Sequence, residues 1–218
     1  HRPNRRQRQM CIRDSSIMAP TAILFDGENN LAEKWLPLIA SGEITACVSL
    51  SEVVGKRSDL GLVLDSKNVS GVSIFGIDGE LNPAIIITAV DDNLILVETD
   101  NNGVEINEIP TIDTTRPVVE IIFDSSKYQI ISSGKNAIQK TIDVGRIGLA
   151  ADLLGASQNM INKSVEYSLE RKQFERAIGS FQAVKHMCAE MAADLEPCRS
   201  LMWYAAYSQD FIKDEASL

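Results

Sequence analysis

Tyr167-Ser168-Leu169-Glu170-Arg171-Lys172-Gln173-Phe174, followed by Ile178-Gly179-Ser180-Phe181-Gln182-Ala183-Val184-Lys185-His186, is the stretch on which the reading of this chain turns. It falls where one long helical pattern ends and another begins. Upstream, Ile138, Ile142, Leu149, Leu153, Ala156, Met160, Ile161, Val165 and Leu169 recur mostly at steps of three, four or seven, the spacing that keeps apolar side chains on one helix face. After Gly179-Ser180 the stripe restarts with Phe181, Val184, Cys188, Met191, Leu195, Cys198 and Met202. Ser180 is placed to cap the second helix, and Pro197 is expected to bend or interrupt it. Two long helices joined this way form an antiparallel pair belonging to a bundle, and need further helices to cover them.

Working toward the N-terminus, the signals change to strands. Ile44–Leu50, Ala84–Ala89, Leu94–Glu98, Val104–Ile109 and Val118–Phe123 are short, rich in Val and Ile, and separated by turn-forming clusters such as Asp-Asp-Asn and Asn-Asn-Gly. Such spacing describes a small sheet or barrel without crossover helices. Before it, Leu31, Trp35, Leu36 and Ile39 mark a helix over residues 30–40, short or bent because Pro37 lies inside. The expected class is α+β: a small, mainly antiparallel β domain between helical segments, ending in part of an up-down helical bundle. The expected divisions are residues 1–16, a non-native segment; 17–43, the end of an N-terminal helical domain; 44–133, the central β domain; and 134–218, the partial bundle.

Composition excludes several functions. The longest apolar runs have strand length, far from the roughly 20 residues that span a bilayer. Of the net charge of −9, residues 1–16 contribute +4 through five arginines against Asp14, which leaves −13 on the rest. A body that acidic repels nucleic-acid phosphates. Cys11, Cys47, Cys188 and Cys198 form no C-x-x-C pair, which points away from a disulfide framework and toward the cytoplasm. With His186 the only histidine besides His1, a zinc site or a Ser-His-Asp triad has almost nothing to be built from.

The stretch quoted first closely resembles the Y-x-x-x-R-x-Q-F … I-G-x-F-Q-x-x-K-H passage of the acyl-CoA dehydrogenase family. Leu36-Pro37-Leu38-Ile39-Ala40-Ser41-Gly42-Glu43 with Ser49-Leu50-Ser51-Glu52 is similar to the family's L-P-x-I-A-S-G-E … T-E element. Ile112-Asp113-Thr114-Thr115-Arg116 with Phe123-Asp124 is similar to its L-D-x-T-R … F-D element. The resemblance covers about residues 20–218 and implies FAD as cofactor, an acyl-CoA substrate, an electron-transfer flavoprotein as partner, and a homo- or hetero-oligomer. It implies that Arg171, Gln173, Phe174, Phe181 and Gln182 reach the FAD of a neighbouring subunit. Arg171 has the rigid donor fork that suits a diphosphate, Gln173 adds an amide donor, and Phe174 offers an aromatic face to adenine. Leu50, Ser51 and Ser58 align with flavin-binding positions and Arg116 with a substrate-binding one.

Three departures qualify this. Val53-Val54-Gly55-Lys56-Arg57-Ser58-Asp59 stands where the family has a glycine-rich turn. No tryptophan lies on the strand that the family places beside flavin: Trp35 precedes the sheet and Trp203 follows it. The acidic residue that removes the substrate α-proton is expected beyond Leu218, so the 218-residue chain by itself is expected to be inactive. The expected function is FAD-dependent α,β-dehydrogenation of an acyl-CoA thioester, as in fatty acid β-oxidation. The alternatives are a partner subunit without its own flavin and an acyl-CoA oxidase.

Overall fold

The computed structural model describes residues 14–27, 30–50, 61–77, 82–100, 103–112 and 117–212. The chain divides into two compact units, His1–Gly145 and Arg146–Leu218.

The first unit is organised around one eight-stranded sheet. Its strands are β1 (Ala46–Ser49), β2 (Leu62–Leu64), β3 (Asn68–Ile77), β4 (Ile85–Val90), β5 (Asn93–Glu98), β6 (Val104–Ile109), β7 (Val118–Lys127) and β8 (Gln129–Ser133). The spatial order is β6-β7-β3-β1-β4-β5-β8, with β2 added to β3. Only β1 and β4 run parallel; the other pairs are antiparallel. Side chains alternate between faces along a strand, and that alternation divides the core in two. Ile85, Ile87, Ala89, Leu94 and Leu96 join one apolar cluster, while Ile86, Val90, Ile95 and Val97 join the other. Strands β4 and β5 are therefore buried on both faces, which explains why β4 is a continuous apolar run.

Helices cover the first face. A π-helical turn, Asp14–Met18, leads into α1 (Ala19–Ile23), and α2 follows at Asn30–Ser41. Ala19, Ala22, Ile23, Leu31 and Trp35 pack onto the sheet together with Ala137, Ile138 and Ile142. Ser15 ties this layer down, donating to the Ala46 carbonyl at 2.9 Å and accepting from the Ala46 N–H at 2.8 Å. Residues 1–13 of the segment expected to be foreign lie outside the described residues. Helix α2 passes through Pro37 without ending. The missing N–H falls on an exposed face, where solvent can take the freed carbonyl.

The second unit holds most of α3 (Lys135–Glu170), a hairpin of β9 (Lys172–Gln173) and β10 (Arg176–Ala177), a 3-10 turn (Ile178–Ser180) and α4 (Gln182–Phe211). Arg199 on α4 donates from Nη2 to Gln158 Oε1 on α3 at 3.0 Å. Two local expectations are corrected. Helix α4 runs unbroken past Pro197, and its N-cap position is Phe181 rather than Ser180, with no side-chain cap. The Ser180 hydroxyl instead donates back to the Ala177 carbonyl at 2.7 Å, across the 3-10 turn. Leu153, Met160, Met187, Leu201 and Trp203 remain exposed along the two helices.

Candidate functional site

The connection between α3 and α4 is built by three backbone constraints. Register pairs Gln173 with Arg176, so Phe174 and Glu175 form a two-residue turn. Their φ values are 52° and 64°, the left-handed pair of a type I′ hairpin. Neither is the Gly or Asn that such turns favour, so both carry strain. Next, the Ile178 N–H donates to the Arg171 carbonyl at 2.8 Å, closing the hairpin onto the end of α3. Gly179 then packs against that end: a Cβ there would lie 2.9 Å from the Ser168 carbonyl oxygen.

These constraints gather side chains at the start of α4. The Arg176 guanidinium lies over the Phe181 ring, 4.0 Å from its centroid. Phe181 meets Phe174 edge to face, with centroids 6.1 Å apart and planes at 79°. Phe174 is 86% exposed. Arg171 and Gln173 are also exposed, and neither side chain has a hydrogen bond or ion pair among the described residues. Gln182 opens α4, whose first-turn N–H groups have no side-chain cap. Of the five site residues expected in this stretch, the structure brings Phe174 and Phe181 into ring contact, while Arg171, Gln173 and Gln182 lie in the same connection between α3 and α4. The structure adds Arg176, which was not among the expected site residues. The signal for it was its spacing: residues on opposite sides of a two-residue turn and a short 3-10 turn can stack.

Leu50 belongs to the first unit and is buried where the chain leaves β1. Its neighbour Ser49 is fully buried, with its hydroxyl 2.8 Å from Ser73 Oγ and 3.3 Å from the Ile74 carbonyl. Ser51, Ser58 and Arg116 lie outside the described residues, as does the Val53–Asp59 run. Next along β3, Phe75 has φ 61° and is 53% exposed. It sits in an irregularity of the β3–β7 pairing between Ser73 and Gly76. A bulky residue at positive φ inside a strand is an outlier that needs a reason. Sequence reading passed over this phenylalanine.

No group of three or more potential metal ligands occurs among the described residues. None of the described helices is long and apolar enough to cross a membrane.

Arg171, unpaired among the described residues, is thus exposed in the same connection as the Phe174–Phe181 pair and the uncapped start of α4. Residues 132–217 match the family model "Acyl-CoA dehydrogenase, C-terminal domain". The chain is 29% identical over 204 residues to the short-chain-specific acyl-CoA dehydrogenase of Clostridium acetobutylicum, covering 83% of this chain and 54% of that protein. It is 27% identical over 229 residues to the caffeyl-CoA reductase-Etf complex subunit CarC of Acetobacterium woodii, covering 92% and 60%. A glutaryl-CoA dehydrogenase from Mycobacterium smegmatis, solved in complex with FADH2, superposes with a TM-score of 0.76 at 20% identity, over 90% of this chain and 56% of that one. That last likeness is one of fold. The chain is thus similar to acyl-CoA dehydrogenases over most of its length, and its residues 132–217 match that family's C-terminal domain. It spans little more than half the length of the curated relatives it matches.

Proposed function

We propose that this chain contributes the FAD-holding framework of an acyl-CoA dehydrogenase that forms a 2,3-double bond in an acyl thioester. The observation that carries the reading is the exposed Arg171, free of any ion pair among the described residues, in the same connection as Phe174 and the open start of α4. A guanidinium fork matches phosphate oxygens bidentately. The N-terminal N–H groups of a long helix attract anions. A strained, solvent-facing phenylalanine offers a flat surface for adenine. Bound FAD would accept the hydride that leaves the substrate β-carbon, while the protein supplies position and charge. In this reading Gln173 and Gln182 add amide donors, and the site is completed by a second subunit. By the family resemblance, Leu50, Ser51 and Ser58 are assigned to the flavin and Arg116 to the acyl-CoA. Electrons pass on to an electron-transfer flavoprotein, and the setting is the cytoplasm.

The second reading, a partner subunit without its own flavin, is favoured by Val53-Val54-Gly55-Lys56-Arg57-Ser58-Asp59. Bulky residues there restrict the close backbone approach that a glycine-rich turn allows.

Purifying the protein and measuring retained flavin separates the two. FAD that co-purifies, with Arg171→Gln weakening it roughly 10- to 100-fold as expected for a lost charged hydrogen bond, supports the enzyme. Acyl-CoA-dependent reduction of an artificial electron acceptor completes the test. A correctly assembled but colourless protein that cannot be loaded with FAD defeats it.

A further inference from the structure

We infer that Arg176 is a positioning residue for the adenine end of the dinucleotide, acting through Phe181 and not as a ligand itself. This rests on the reading of Arg171, Phe174 and Phe181 as an FAD surface. The two arginines flanking the hairpin are used differently. Arg171 projects unpaired. Arg176 is committed to a ring face, with its guanidinium carbon 4.0 Å from the Phe181 centroid. A cation over one face of Phe181 limits the tilt of that ring. Phe181 in turn stands edge to face with Phe174 at 6.1 Å and 79°, so it fixes the angle at which Phe174 stands. The backbone alone does not supply this control. Phe174 lies at the tip of a two-residue turn, 86% exposed, with φ 52° and few neighbours to hold its side chain. The stack Arg176–Phe181–Phe174 is therefore the device that presets an otherwise free aromatic ring. Presetting a ring lowers the ordering cost of binding without adding a contact.

The chemistry predicts what different side chains at position 176 should do. Lysine keeps a cation over the ring; glutamine removes it. The test is a double-mutant cycle in the full-length protein, with dissociation constants for FAD and FMN measured by flavin fluorescence in Arg176→Gln, Arg176→Lys, Phe181→Leu and the Arg176→Gln/Phe181→Leu pair. Expected is a two- to fivefold weaker FAD affinity in Arg176→Gln, from roughly the strength of an exposed cation–π contact. Arg176→Lys should stay within about twofold of wild type. FMN, which lacks the adenosine end, should be unaffected. In the Phe181→Leu background, Arg176→Gln should have no further effect. An equal loss in both backgrounds shows Arg176 touching the diphosphate directly and overturns the inference, as does an Arg176→Gln protein with unchanged FAD affinity. Wild-type protein that binds neither nucleotide overturns the function reading, and this inference with it.

Discussion

Replacing Gly179 with alanine adds a methyl group 2.9 Å from both the Ser168 carbonyl oxygen and Ser168 Oγ, and 3.2 Å from the Ser168 carbonyl carbon. The hydroxyl could rotate aside at the expense of its 2.7 Å bond to the Val165 carbonyl. The backbone oxygen cannot, because it belongs to the last turn of α3. The 3-10 turn must therefore move away by a few tenths of an ångström, an overpacking cost of about 1–3 kcal/mol. The bond most exposed to this shift is Ile178 N–H to the Arg171 carbonyl, 2.8 Å long and one residue from the added methyl. Its amide exchange reports the loss locally: at a factor of ten per 1.4 kcal/mol, exchange should rise roughly 5- to 150-fold. Because Phe181 and Gln182 move with the turn while Arg171 stays on α3, FAD affinity should fall in parallel. Adding Ser168→Ala removes the hydroxyl but leaves the backbone clash, so it should restore only part of the loss. Unchanged exchange at Ile178 in the Gly179→Ala protein, or full restoration by Ser168→Ala, would refute the packing account.

Further outcomes follow from the local geometry. Glu175, at φ 64°, should accept glycine with a net gain of about 0.5–1 kcal/mol, the relieved left-handed strain less the added chain entropy, read as a raised urea midpoint. At Phe75, glycine should be more stable than alanine by about 1 kcal/mol, reversing the usual order in a strand, since only glycine is unstrained at φ 61°; equal urea midpoints for the two variants refute the backbone assignment. Gly155→Ala, in open space on α3, should stabilise by about 1 kcal/mol in thermal melts, whereas Gly71→Ala, at φ 124° with a Cβ only 2.1 Å from the Gly61 carbonyl oxygen, should cost more than about 2 kcal/mol. Asp65 accepts N–H bonds from Lys67 and Asn68, which hold its carboxyl below the ordinary value; a depressed folded pKa contributes stability above the unfolded value and loses it as pH falls through the folded one, so Asp65→Asn should flatten the stability profile below about pH 4 and leave its slope at neutral pH unchanged.

Elements with a clean period were legible in the sequence, and those that break their own period were not. Strands β4, β5, β6 and β7 announce themselves by Val and Ile between turn clusters, and α3 and α4 by long apolar stripes. Strand β3 was missed although it lies at the centre of the sheet, between β7 and β1 and with β2 beside it. Its sequence, Asn-Val-Ser-Gly-Val-Ser-Ile-Phe-Gly-Ile, mixes two glycines and two serines into the run, and those residues read locally as turn. Each has a tertiary reason. Gly76 admits Ile121 and Cys47 at distances no Cβ would tolerate, and Ser73 bonds to Ser49 across to β1. Strands β2 and β8 were missed as short pieces, and the parallel β1–β4 pair has no local signature at all. Proline was over-read at position 197, where it removes one N–H but sits inside a continuous helix held by its other turns.

The candidate site divides along a different line, between what a side chain is and how its backbone stands. Arg171, Gln173, Phe174, Phe181 and Gln182 were singled out by their resemblance to a family passage and by offsets that fall in the turn between two helices. The conformations that set those side chains were not, since nothing in Phe174-Glu175 resembles a type I′ turn. The same holds for Phe75, where a phenylalanine takes a backbone conformation that glycine would adopt without strain. In each compact unit, then, an exposed phenylalanine is held in left-handed backbone, 86% exposed at Phe174 and 53% at Phe75. Folding alone favours neither choice: burial gains little from a ring left half in solvent, and the φ cost is of order 1 kcal/mol or more at each position. Under the function proposed above, the strain at Phe174 is offset when its exposed ring meets the adenine of FAD.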